Sequence, residues 1–198
     1  MYKPITVSFF GHRIMDNGPR AMAFLRDLVE TLITNCDQVD FLVGRDGDFD
    51  LIAASIVREM KKTIRDDNST LIWVMPYVTA QYRKYEKDYL AYYDEIEVCP
   101  ESETAHFKRA IRLRNQAMVD RSDLCLFYVE HPHGGAYQAF SYAQKKNVPR
   151  LNAYWEEQKG VKSSLEGVSK ELSFLINHLK DNAGQCGDGD EGHGGNLV

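Results

Sequence analysis

Three short clusters in the 198-residue chain carry the residue types that could do chemistry. "GHR", Gly11–Arg13, sets an imidazole that titrates near neutrality beside a guanidinium that can clamp a carboxylate or phosphate through two parallel N–H bonds. "GRDGDFD", Gly44–Asp50, offers Gly44, Gly47 and Asp50 in a turn between a strand-like and a helix-like run. "EHPHGG", Glu130–Gly135, ends in adjacent glycines, Gly134 and Gly135, before an alanine- and aromatic-rich segment with helical spacing. Glycines at the start of a helix let a phosphate approach backbone N–H groups that the first turn leaves unpaired. A tight turn without a ligand would use the same residues. The pair fits neither the six-residue dinucleotide fingerprint nor a Walker A loop, since no Lys-Ser or Lys-Thr follows. His131 and His133 flank a proline in loose H-x-H spacing with no third ligand marked, so no metal site is expected.

These clusters can meet only if the surrounding elements bring them together. "ITVSFF" (Ile5–Phe10), "VDFLV" (Val39–Val43), "TLIWVM" (Thr70–Met75) and "DLCLFYV" (Asp123–Val129) are apolar, β-rich runs that read as buried strands. Between them, Arg20 to Asn35 and the segment "LIAASIVREMKKTI" repeat apolar residues three and four apart, as helices with one buried face do. Asp50 stands where a helix N-cap belongs. Tyr82, Tyr85, Tyr89, Tyr92 and Tyr93 predict one helix with an aromatic packing face, and "EIEVC" a short extra strand. Phe107 to Arg121 is a basic helix on which Arg114 and Asn115 can face the glycine pair, while Arg109, Arg112 and Arg121 form a solvated face. Ala136 to Lys146 reads as a helix, "VPRLNAY" as a last strand, and "SSLEGVSKELSFLINHLK" as a C-terminal helix. The alternation predicts an α/β chain: a three-layer, Rossmann-like fold with a mostly parallel sheet flanked by helices. Ligands of such sheets bind beyond the carboxyl ends of the strands, where all three clusters fall. One domain over residues 1–180 and a disordered tail over 181–198 are expected, because the tail has almost no apolar content.

The bulk numbers narrow the classes. With 43% hydrophobic and 27% charged residues the chain is globular, and no run approaches ~20 apolar residues, so no membrane span is expected. Scattered Cys36, Cys99, Cys125 and Cys186 suit a reducing cytoplasm without disulfides or zinc. A net charge of −5 argues against nucleic acid as a partner.

Taken in order, "VSFFGHR", "GRDGDFDLIAA", "RNQAMVDRSDLCLFY" and "GGAYQAFSYAQKKNVPRLN" resemble the Rossmann-like SLOG superfamily, which includes DprA-type single-strand DNA binders and LOG phosphoribohydrolases. The nearer likeness is to its bacterial YpsA/YoqJ branch. The resemblance implies a nucleotide or nucleotide-derived ligand between the GHR loop and the double-glycine helix, with a homodimer as the family expectation and no bound cofactor. Gly11, His12 and Arg13 would line the floor, and Gly44, Gly47 and Asp50 would shape the second loop. Arg114, Asn115 and Asp120 would reach in from the facing helix, Gly134 and Gly135 would admit the phosphate, and Gln138 would be a further ligand-binding residue. LOG hydrolases carry PGGxGTxxE, whose glutamate helps cleave an N-glycosidic bond. Here Tyr137 and Gln138 stand at its third glycine and its threonine, and Ser141 at its glutamate. The missing carboxylate favours a binding or sensing module over a LOG-like N-glycosidase, although Glu130 or Asp50 could substitute. A DprA-like single-strand DNA binder and a partner-binding regulator using the tyrosine stripe are the other readings.

Overall fold

The computed structural model describes residues 3–15, 18–158 and 177. The C-terminal helix and the tail expected from the sequence lie outside the described residues, apart from Asn177. In chain order the elements are β1 (Ile5–Gly11), α1 (Pro19–Asn35), β2 (Val39–Val43), α2 (Asp48–Thr63) and β3 (Ser69–Met75), followed by α3 (Ala80–Lys84), α4 (Glu86–Leu90), β4 (Glu95–Val98) and α5 (Pro100–Glu103). Then come α6 (Phe107–Asp120), β5 (Leu124–Tyr128), α7 (Gly134–Lys145), β6 (Arg150–Asn152) and α8 (Ala153–Gln158). Among the described residues six strands form one parallel sheet, in the order β4-β3-β2-β1-β5-β6. Strand order therefore reverses between β1 and β5, and the crevice of such a sheet opens there.

Side chains alternate across the strands and separate two cores. On one face Val7, Phe9, Phe41, Val43, Leu71, Trp73, Leu126 and Tyr128 pack beneath α1 and α2. On the other, Phe10, Leu42, Ile72, Val74, Cys125 and Phe127 meet Met118 and Val119 of α6 and the alanines of α7. Covered on both faces, the strands have no solvent side to keep polar, and hence read as continuous apolar runs. Among the described residues no helix is long and apolar enough to cross a membrane.

Three expectations change. The tyrosine-rich segment is two short helices, not one: it breaks at Tyr85 (φ −118°, ψ 25°). The break wraps Tyr82, Tyr89 and Tyr93 around the Trp73 indole at centroid distances of 5.8, 4.9 and 5.4 Å, which a straight stripe would not do. The chain after Asn152 enters α8 instead of continuing the strand, because the Asn152 amide accepts from Val129 N–H (3.0 Å) and donates to Val129 C=O (2.9 Å), ending the ladder. Asp50 is not a cap: α2 begins two residues earlier, after the extended Gly47, and Asp50 is buried in its first turn.

A polar clamp holds the edge of the sheet. Lys61, buried to 8% exposure, donates to Ser69 C=O and to Asp94, whose carboxylate also accepts from Leu71 N–H at 2.7 Å. Asp94→Ala strands the ammonium and a strand N–H together. With Asp94 partly open to water, the expected loss is about 2 kcal/mol, read from urea unfolding, and Lys61→Met with Asp94→Ala recovers part of it.

Candidate functional site

The crevice at the switch point is a cavity of about 450 Å³, built by three loops at the carboxyl ends of β1, β2 and β5 and closed by α6. The GHR loop is its keystone. His12 N–H donates to Tyr128 C=O (3.3 Å), and His12 Nε2 accepts from the backbone N–H groups of Glu130 and His131, both at 3.2 Å. On its other side Asp48 N–H donates to Arg13 C=O (2.9 Å), and Met15 N–H to the Asp48 carboxylate (3.2 Å). Gly47 is required where these loops touch, since a Cβ there would stand 2.8 Å from Arg13 Cα and 2.9 Å from the His12 carbonyl oxygen. Asn152, pinning Val129, fixes the start of the third loop.

Because Nε2 is an acceptor, the proton of neutral His12 resides on Nδ1. Burial and the neighbouring His131 and His133 rings push its pKa below the ordinary range, against an opposing pull from Glu130. Nδ1–H faces α7, 4.0 Å from where a Cβ of Gly134 would lie. Gly134 has φ +85°, a left-handed conformation that glycine adopts without strain. The structure starts α7 at Gly134, two residues before the position expected from sequence, so both glycines belong to its first turn. His133 is the N-cap and contributes no side-chain hydrogen bond, leaving the helix end open to the cavity. The rings of His12, His131 and His133 lie 5.4 to 6.5 Å apart. Among the described residues no group of three or more His, Cys, Asp or Glu is arranged to hold a metal ion.

The opposite wall is ionic. Arg114, 3% exposed, donates through Nη1 to Val74 C=O (3.1 Å) and through Nη2 to Asp46 (2.6 Å), while its buried Nε has no partner among the described residues. Asp50 accepts from Asp46 N–H at 3.1 Å. Gly44 separates the two groups: a Cβ there would come within 2.5 Å of Arg114 Nη1 and 2.9 Å of Asp50 Oδ2. Burial raises the Asp50 pKa from 3.8 to about 6, with Arg114 and the Asp46 N–H opposing the rise. The neutral acid is thus favoured in the folded state, so its stabilising contribution is full below about pH 4 and is lost as pH rises through about 6. Asp50→Asn, which cannot ionise, is expected to gain up to about 3 kcal/mol over the wild type at pH 7.5 and little at pH 4. Urea unfolding at both pH values measures it; an equal effect at both would contradict this assignment.

Of the expected residues, Gly11, His12, Arg13, Gly44, Asp50, Arg114, Asn115, Gly134, Gly135 and Gln138 border the cavity. Gly47 stands behind it as the loop contact. Asp120 does not join them. It lies about 9 Å farther along α6 than Arg114 and about 240° round the helix, accepting from Tyr142 Oη (2.9 Å) and paired with Lys146 (3.2 Å). Asp46 and Arg112 border the cavity and were missed. Arg112 is exposed, as expected of a solvated face, and also borders the cavity beside Asn115, three residues on along the same side of α6. Asp46 lies within the quoted GRDGDFD cluster, but only the fold pairs it with Arg114.

No family model matches the sequence, and no curated protein matches it either. Solved structures do. The DNA processing protein A (DprA) of Helicobacter pylori, described by its single-stranded DNA binding mode, superposes with a TM-score of 0.59 at 17% identity, over 88% of this chain and 81% of its own. The molybdenum cofactor carrier protein of Chlamydomonas reinhardtii gives 0.54 at 12% identity, over 90% and 99%. DprA of Streptococcus pneumoniae gives 0.53 at 14% identity, and this chain spans 56% of it. The fold is Rossmann-like, of the kind seen in DprA. The expectation against nucleic acid as a partner is corrected by this likeness: a protein with this fold binds single-stranded DNA. Net charge was the wrong measure, because an acidic total says nothing about the charges gathered at one cleft.

Proposed function

We propose that the cleft binds a nucleotide or nucleotide-derived ligand, its phosphate seated on the N-terminus of α7, and that the chain is a sensing or regulatory module of the YpsA/YoqJ-like SLOG branch. The observation that carries this is the open first turn of α7, with Gly134 at φ +85°, facing a cavity of about 450 Å³. Unpaired N–H groups and the helix dipole favour an anion there, and the Nδ1–H of His12 adds a donor from the side. At the other end the carboxylates of Asp46 and Asp50 suit the hydroxyls of a sugar, which donate to such acceptors. Arg114 borders the cleft with its guanidinium held by Val74 C=O and Asp46, which fixes a positive charge in that wall.

The position of the LOG glutamate holds Ser141, so the nucleotide is expected to be retained intact. A second reading, that the phosphate belongs to single-stranded nucleic acid, draws on the fold likeness to DprA. Thermal melts with phosphate, AMP, cyclic nucleotides, ADP-ribose, NAD and a short single-stranded oligonucleotide test both. A ligand at ~100 times its dissociation constant adds ~2.7 kcal/mol to stability. A nucleotide shift with no free base released supports the sensing module, and a shift confined to the oligonucleotide and lost steeply in salt supports the second reading. No shift with any of them overturns the proposal.

A further inference from the structure

Between α6 and α7 a groove of about 260 Å³ continues out of the cleft, sharing Arg112, Asn115, Gly135 and Gln138 with it. Its walls follow from helical spacing. Gly135, Gln138, Tyr142 and Lys145 recur at steps of three and four along α7, and Arg112, Asn115 and Gln116 do so on α6.

The charge of this groove runs against that of the chain. The protein has 29 acidic residues and a net charge of −5, yet among the described residues no carboxylate borders the groove. Asp120, which receives the Tyr142 hydroxyl, lies outside it and is paired with Lys146. Lys61, Arg114, Arg121 and Lys146 are each matched by an acid. Arg112 and Lys145 form no ion pair among the described residues. Lys145 lies about 15 Å along α7 from Gly135, and its stem leans back toward the N-terminus of the helix, shortening that distance. Ser141 and the amides of Gln116 and Gln138 add neutral donors. The groove is thus lined by two unmatched cations and neutral donors with no carboxylate, a lining suited to an anion.

We propose that the α6–α7 groove is a second phosphate subsite, so that the ligand of the cleft is a nucleotide bearing a second phosphate group. This rests on the cleft being a nucleotide site and gives the ligand a direction. Sugar hydroxyls lie toward Asp46 and Asp50, the first phosphate lies on the α7 N-terminus, and the second lies between Arg112 and Lys145. The second phosphate is either bonded directly to the first, as in ADP, or carried across a sugar, as in a 5′-phosphorylated dinucleotide.

Calorimetric titration of the full chain with AMP, ADP and the dinucleotide pApA, on wild type and Lys145→Ala, tests it. Lys145 is exposed in the last turn of α7 and borders the groove but not the cleft, so the variant is expected to fold, as its melt will verify. Wild type is expected to bind ADP or pApA about tenfold more tightly than AMP. Lys145→Ala loses most of that gain and leaves AMP binding within twofold; whichever of the two carries the gain identifies the linkage. AMP binding with no gain from a second phosphate, or an equal loss for AMP and ADP in Lys145→Ala, overturns the subsite and leaves the cleft standing. Failure of all three ligands to bind wild type overturns the cleft assignment and the subsite with it.

Discussion

Gly11→Ala destabilises the protein by about 3 kcal/mol, lowering its melting temperature by roughly 6 to 12 °C. Gly11 ends β1 directly against α2: a Cβ built there would lie 2.5 Å from Phe49 Cγ and 2.7 Å from its Cδ1. Phe49 cannot yield, since it is 1% exposed and stacks on Tyr128 at 5.8 Å. The backbone must yield instead, and Gly11 leads into the keystone loop. The displacement therefore moves His12 away from the N–H groups of Glu130 and His131 and loosens the cleft together with the core. The nearest contact is Phe49 Cβ, which alanine retains, so Phe49→Ala in the Gly11→Ala background leaves the clash in place and no rescue is expected. A Gly11→Ala melt within 2 °C of wild type would show that β1 and α2 are not packed this closely.

Gly135→Asp has the opposite signature: a stable protein that no longer binds. A Cβ at Gly135 meets nothing nearer than Asn115 Nδ2 at 3.9 Å, so a side chain fits without displacement. A carboxylate in the first turn of α7 also complements the helix dipole, by about 0.3 to 1 kcal/mol. The melt is expected to rise by roughly 1 to 3 °C. The same carboxylate occupies the position proposed for the phosphate, and its charge repels the incoming anion. Nucleotide affinity is expected to fall about a hundredfold or more, whereas Gly135→Ala, which adds bulk without charge, costs much less. Binding that survives Gly135→Asp within threefold would move the phosphate away from α7.

What was legible in the sequence was local. Apolar runs bounded by glycine and proline located β1, β2, β3 and β5, because strands covered on both faces admit few polar residues. Three- and four-residue spacing located α1, α2 and α6, and the three glycine-bearing loops followed from where those elements stop. Misplacements occurred where tertiary contacts override local preference. Trp73 breaks the tyrosine helix by drawing three rings around itself, and Asn152 ends the last strand with its side chain. Asp50, suited by type to cap a helix, is buried within the turn it was expected to begin, where the enclosed cleft raises its pKa to about 6.

Composition and periodicity, which act over a few residues, sufficed to predict a mostly parallel α/β sheet and the clusters at its carboxyl edge. The fold sets which members of those clusters meet. It paired Arg114 with Asp46, excluded Asp120 by the rotation of α6, turned the proton-bearing nitrogen of His12 toward the open end of α7, and gathered Arg112 and Lys145 in a groove without acids. Net charge, summed over the chain, is no guide to a partner, because binding responds to charge at the place of contact. That placement depends on crossovers between segments far apart in sequence, which no local pattern records.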